Sequence, residues 1–236
     1  MTGKTGKDAD EAYVLRIAWS AHRGASPSTS ADAGKRIRDL LMHESFVITD
    51  TNPDIILFMS GGSERRAIEL ADPGKPVLLL SIRGNNAYAA ATEVMAWMVN
   101  NKRIAMLSDA SDAKESGLLS RWCRVAGAWG RIHGSAAGLI GDVSEWLVAS
   151  GVPAQTLTDK FGIILTEIPW SGLPDYSASQ PDQALIERFS DINPKGLDEA
   201  ARVLTLLRTI ISGKGLDAIA VECFSLVQGR KVTACL

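Results

Sequence analysis

The residues best suited to chemistry in this chain sit where short apolar runs give way to glycine or polar turns. After "RIAWS" come His22 and Arg23, after "ILFMS" come Gly61, Gly62, Ser63 and Glu64, and after "LLLSI" come Arg83, Gly84, Asn85 and Asn86. His22 and Arg23 carry donors that suit an oxygen-rich ligand. Paired glycines permit positive φ and let a ligand approach the backbone N–H groups of a helix start. Two successive asparagines can donate hydrogen bonds to hydroxyls. Each group also has a plainer role: a solvated loop for His22 and Arg23, a helix cap for Ser63 or an asparagine. Glu222, ending the apolar run "AIAV" beside Cys223, can act as a metal ligand or proton-transfer group, or can simply face solvent.

Several chemistries are excluded by pattern. The glycines of "SGGSERR" lack the spaced GK[ST] of a phosphate-binding loop, and GxGxxG is absent. There is no HExxH and no GxSxG, and the three histidines lie far apart in sequence. His133 is expected at the end of a helix, where a cation meets the C-terminal dipole favourably. Cys123, Cys223 and Cys235 form no CxxC pair, so buried free thiols are expected rather than a disulfide framework.

The elements that must position these residues alternate. "YVLRIAWSAH", "FVIT", "DIILFMSGG", "VLLLSI" and "RIAMLSD" are predicted strands, separated by the helical patterns "SADAGKRIRDLLMHE", "SERRAIELA" and "NAYAAATEVMAWMVNN". "AKESGLLSRWCRVAGAWGRIHG" is predicted as one long bridging helix, with Leu118, Leu119, Trp122, Val125 and Trp129 on one face. Alternation restarts with "AAGLIG", followed by a turn at Gly141 in which Asp142 and Ser144 are placed to cap a helix carrying Trp146 and Leu147. "GIILTEI" and "LDAIAVECFS" continue it, the latter as a central strand, and "VTACL" begins a helix returning over that sheet.

Together these predict an α/β protein with two Rossmann-like or flavodoxin-like parallel-sheet domains, the second incomplete. A polar leader covers 1–12, the first domain 13–133 and the second 134–236, the boundary falling near residues 131 to 136. The length of 236 residues suffices for two cores, and 46% hydrophobic with 22% charged residues argues against a disordered chain. A net charge of −2 offers no general attraction to nucleic acid or anionic lipid, so neither nucleic acid nor membrane is an expected partner. The leader lacks an apolar signal core and no segment is long enough to span a bilayer, which places the protein in the cytoplasm.

In order, "ILFMSGGSE", "KPVLLLSIRGNNAYAAATEVMAWM" and above all "GLIGDVSEWLVASGVPAQTLTDKFGIILTEI" resemble the first two domains of the L-fucose/L-arabinose isomerase family, over roughly residues 14 to 236. The resemblance implies an aldose–ketose isomerase using a divalent metal, typically manganese (Mn2+), and a carboxylate that moves a proton through an ene-diol. It also implies a homo-oligomer in which the first domain faces a neighbour's sugar. His22, Arg23, Gly62, Ser63, Glu64, Asn85 and Asn86 are then the expected substrate-binding residues. The family's metal-binding acids and histidines lie later than any segment matched here. No metal ligand is therefore carried over, no cofactor is expected on this chain alone, and Glu222 is the nearest catalytic candidate; either a partner covers the second sheet or the natural protein continues past Leu236. The alternative is a two-lobed cytosolic sugar-binding or sensor module without catalysis.

Overall fold

The computed structural model describes residues 13–191 and 194–234. The leader expected over residues 1–12 lies outside them, as do Cys235 and the last residue of "VTACL". The chain divides into two compact units between Arg131 and Ile132.

In the first unit β1 (Leu15–Ser20), β2 (Phe46–Ile48), β3 (Ile55–Phe58), β4 (Val77–Ser81) and β5 (Ala105–Asp109) form one sheet in the order β2-β1-β3-β4-β5. Every pairing is parallel, with Ile17 beside Ile55, Ile55 beside Leu78 and Leu78 beside Met106. β3 and β4 are buried at every position, as strands covered on both faces must be. Connecting them are α1 (Pro27–Leu40), α2 (Glu64–Leu70) and α3 (Ala87–Asn100), followed by α4 (Ala110–Glu115) and α5 (Leu118–Ile132). The helices contribute Ile37, Leu70, Val94, Met98 and Trp122 to a core built on Ile17, Ile56, Phe58 and Leu79.

The amino edge of this sheet is locked by a buried carboxylate. Asp54, fully buried, accepts from the Tyr13 hydroxyl (3.1 Å) and the Arg16 amide (2.7 Å), and pairs with Lys75 at 2.5 Å. Its carbonyl takes the Trp122 indole N–H at 2.8 Å, which fastens α5 to the sheet. Burial, reinforced by Asp54, raises the Tyr13 phenol well above its usual pKa.

The second unit holds a smaller parallel sheet, β6 (Ala136–Ile140), β7 (Ile164–Ile168) and β8 (Ala218–Val221), in the order β7-β6-β8. With it go α6 (Ala154–Phe161), α7 (Gln183–Arg188), α8 (Pro194–Lys214) and α9 (Phe224–Arg230). Ile140, Ile168, Val203, Leu206 and Ile210 centre its core. An α/β protein of two parallel sheets is thus what the alternation of strands and helices specifies.

Five local expectations are corrected. The bridging helix is two helices, because Gly117 turns left-handed (φ 66°) between α4 and α5. On α5, Val125 is exposed while Ala126 and Gly127 are buried; a Cβ on Gly127 would lie 3.1 Å from that of Tyr13, so the helix turns its small residues inward there. "SEWLVASG" forms turns closed by Leu147 N–H to Ser144 O and Gly151 N–H to Leu147 O. Val143, Trp146, Leu147 and Val148 all stay exposed, so the segment buries no apolar face that would anchor a helix, and the Asp142 carboxylate accepts the adjacent Val143 amide. β8 is an edge strand whose Ala218 and Ala220 are exposed. The helix that follows β8 is α9, starting at Phe224 rather than in "VTACL", and Leu226 and Val232 pack into the second core.

Candidate functional site

The order β2-β1-β3-β4-β5 reverses direction between β1 and β3, and in open α/β sheets the crevice at the carboxyl ends of such strands is where ligands bind. Three loops meet there. The Ser20 hydroxyl donates to Ser63 O (2.9 Å), the His22 amide to the Ser60 hydroxyl (2.9 Å) and the Gly61 amide to Asn85 O (2.7 Å), so each loop fixes the next. The packing needs both glycines. A Cβ on Gly61 would come within 3.0 Å of that of Asn86, and one on Gly62, whose φ is 71°, within 2.7 Å of His22 Cδ2.

The third loop is unusual in its backbone. Gly84, Asn85 and Asn86 follow one another with φ of 94°, 52° and 56°. Asparagine tolerates this left-handed region better than other side chains with a Cβ. Asn86 stands at the cap position of α3 but makes no side-chain cap bond, and Ser63 makes none to α2, its hydroxyl donating instead to Ser60 O at 2.7 Å. The caps expected of these residues are therefore not formed.

His22, Gly61, Gly62, Glu64, Asn85 and Asn86 line one open cleft of ≈ 530 Å³, joined by Ala89, Ala90 and Glu93 from α3. Glu93 went unnoticed in the sequence, although it lies seven residues beyond Asn86, on the same face of α3. Arg23 is exposed and does not line the cleft; Ser63 is buried beneath it; Arg83 turns away to Asp109 (3.4 Å) and Asp112 (3.0 Å). His22 Nδ1 accepts the Gly24 amide at 3.0 Å, which in the neutral ring leaves the proton on Nε2. Glu64 accepts the Gly62 amide at 3.2 Å. The cleft thus offers an imidazole, two carboxylates and two amides, with no lysine or arginine among its lining residues. Such a set suits hydroxyls and repels phosphate.

Glu222 belongs to the second unit. Its carboxylate accepts from the Ser225 amide (3.1 Å) and the Ser225 hydroxyl, holding the first turn of α9. Gly141, with φ 92°, backs onto it: a Cβ there would lie 2.7 Å from that of Glu222. Among the described residues no group of three or more His, Cys, Asp or Glu is placed to hold a metal ion. One carboxylate supplies at most two of the roughly six oxygens that a hard cation takes. Among the described residues no helix is long and apolar enough to cross a membrane. No family model matches the sequence, and no curated protein matches it.

Proposed function

We propose that the cleft of the first unit binds an uncharged, hydroxyl-rich small molecule of the sugar class, and that the chain is the N-terminal part of a cytoplasmic, homo-oligomeric aldose–ketose isomerase of the L-fucose/L-arabinose type. The observation that carries the binding is the convergence of His22, Glu64, Asn85, Asn86 and Glu93 at the switch point of a parallel sheet. The lining carries both donors and acceptors, as hydroxyls require, and its two carboxylates with no lysine or arginine favour a neutral sugar over a sugar phosphate. The isomerase part rests on the ordered likeness of the segments from "ILFMSGGSE" to "GIILTEI".

The sensor or binding-module reading has its own support. The Glu222 carboxylate is engaged in holding the first turn of α9 through Ser225, a structural role that asks no chemistry of it. Both readings share the sugar, so binding is tested first. Titration of the chain with L-fucose, L-arabinose and D-arabinose 5-phosphate, followed by calorimetry and ligand-observed NMR, should show binding of the neutral sugars, weakened several-fold by Glu64→Gln. Preference for the phosphate, or indifference to that substitution, would sink the proposal. With manganese added, this chain alone should convert no aldose above background; measured conversion would remove the binding-only reading and make Glu222 the leading catalytic residue.

A further inference from the structure

The second unit repeats the layout that carries the cleft in the first. Its strand order β7-β6-β8 also reverses, here between β6 and β8, and a cavity of ≈ 360 Å³ opens at the carboxyl ends of those two strands. Its composition differs from the first cleft. Leu139, Val143 and other apolar side chains form most of the wall, and Trp146 meets Phe224 edge to face with ring centroids 5.2 Å apart. Trp146 is 61% exposed and Phe224 52%. Large aromatic surface left in water beside a concave wall is surface that a ligand can cover. Asp142 and Glu222 lie on the lining as well, with no lysine, arginine or histidine among the described residues there. Each carboxylate has a local partner, Asp142 the Val143 amide and Glu222 the Ser225 amide and hydroxyl, which fixes it in place and leaves acceptor capacity free.

Charge and shape together select the occupant. Two acids without a base repel an anion, and the aromatic faces attract a cation through their quadrupoles. A bare divalent metal would leave the apolar and aromatic wall in water, whereas an organic cation covers it. We infer that this cavity binds an organic ammonium ion on an apolar body, such as an arylalkylamine. The ammonium sits between the Asp142 and Glu222 carboxylates, and the apolar body lies against Trp146 and Phe224. The site is independent of the sugar cleft of the first unit.

The test compares three near-isosteric probes against the whole chain at low salt: phenethylamine, the neutral 2-phenylethanol and the anionic phenylacetate. Calorimetry and the NMR signal of the Trp146 indole N–H should show the amine binding about tenfold more tightly than the alcohol, with phenylacetate not binding. Asp142→Asn should remove most of that preference and leave the alcohol unchanged. Because Asp142 bonds only its neighbour's amide, this substitution leaves the fold intact; Glu222→Gln, confirmed as folded by circular dichroism, should act in the same direction. L-fucose binding should be unaffected by either. Equal affinity for amine and alcohol, no binding of the amine, indifference to Asp142→Asn, or perturbation at His22 and Asn86 instead of Trp146 would each overturn the inference.

Discussion

At the residue scale the cleft depends on side chains chosen for their backbone. Asn85 and Asn86 occupy a left-handed conformation that costs an ordinary L-residue about 1–2 kcal/mol. Asn86→Ala should therefore lower stability by about 1 kcal/mol in urea titration, while Asn86→Gly keeps the turn and isolates the loss of the amide. If sugar affinity falls with alanine and is unchanged with glycine, the amide has no part in binding. Asp54 presents the opposite case, a charge that holds structure away from the site. Removing it leaves Lys75 partly buried and strips the Tyr13 hydroxyl and Arg16 amide of their acceptor, so Asp54→Ala should cost about 3–5 kcal/mol, measured as a shift of the urea midpoint. Cys123 yields a pH prediction. Burial, with the Glu44 carboxylate beside it, pushes its thiol up to about 11. The folded state therefore holds this proton more tightly than the unfolded chain; the stability it contributes is fully present below pH 9 and is lost as pH rises toward 11. Iodoacetamide labelling of Cys123 in the folded protein, followed by peptide mass spectrometry, should be slow at pH 8 and accelerate between pH 9 and 11; rapid labelling at pH 8 would contradict the burial. The sequence made His22, Glu64 and the two asparagines visible because they end apolar strands. It hid the left-handed backbone and Asp54, whose significance depends on partners far along the chain.

At the element scale, legibility followed how completely an element is buried. "DIILF" and "VLLLS" are apolar at nearly every position and become β3 and β4, covered on both faces. "SEWLVASG" has helical spacing of its apolar residues, but spacing alone gives no stability unless the face is buried, and Trp146, Leu147 and Val148 all stay exposed. The expected bridging helix failed at one residue. Gly117 adopts φ 66°, and a Cβ there would meet only the end of Arg121, at 3.8 Å, so the break is conformational rather than steric. Gly117→Ala should lower stability by about 1 kcal/mol without adding helix, because α4 and α5 are each fixed by their own buried residues, Ala113 on one and Leu118, Leu119 and Trp122 on the other. Far-UV circular dichroism and urea titration check this: an increase in helix with no loss of stability would mean that a continuous helix was accessible all along.

At the scale of the whole molecule, the two sheets differ in how far they are withdrawn from water, and sequence could not rank them. The run "AIAV" within "LDAIAVECFS" is as unbroken an apolar string as the "IILF" of "DIILF", which made β8 look central. Strand position is set by pairings between residues far apart in the chain, and among the described residues β8 pairs only with β6. Its alternating alanines leave Ala218 and Ala220 exposed, and β7 exposes Ile164, Thr166 and Glu167 and buries Leu165 only in part, whereas β3 and β4 are closed to solvent throughout. Backbone amides exchange through local opening, which costs little where few buried apolar groups must be uncovered and approaches the global unfolding free energy where many must. Native-state hydrogen exchange should therefore find the paired amides of Leu57, Leu79 and Leu80 among the slowest in the chain, and those of Thr166 and Ile219 at least about tenfold faster. Equal protection of the two sets would mean that something in solution, such as a second copy of the chain, covers the second sheet. Repeating the exchange over a range of protein concentrations separates these outcomes, because protection gained by self-association rises with concentration and protection intrinsic to one chain does not.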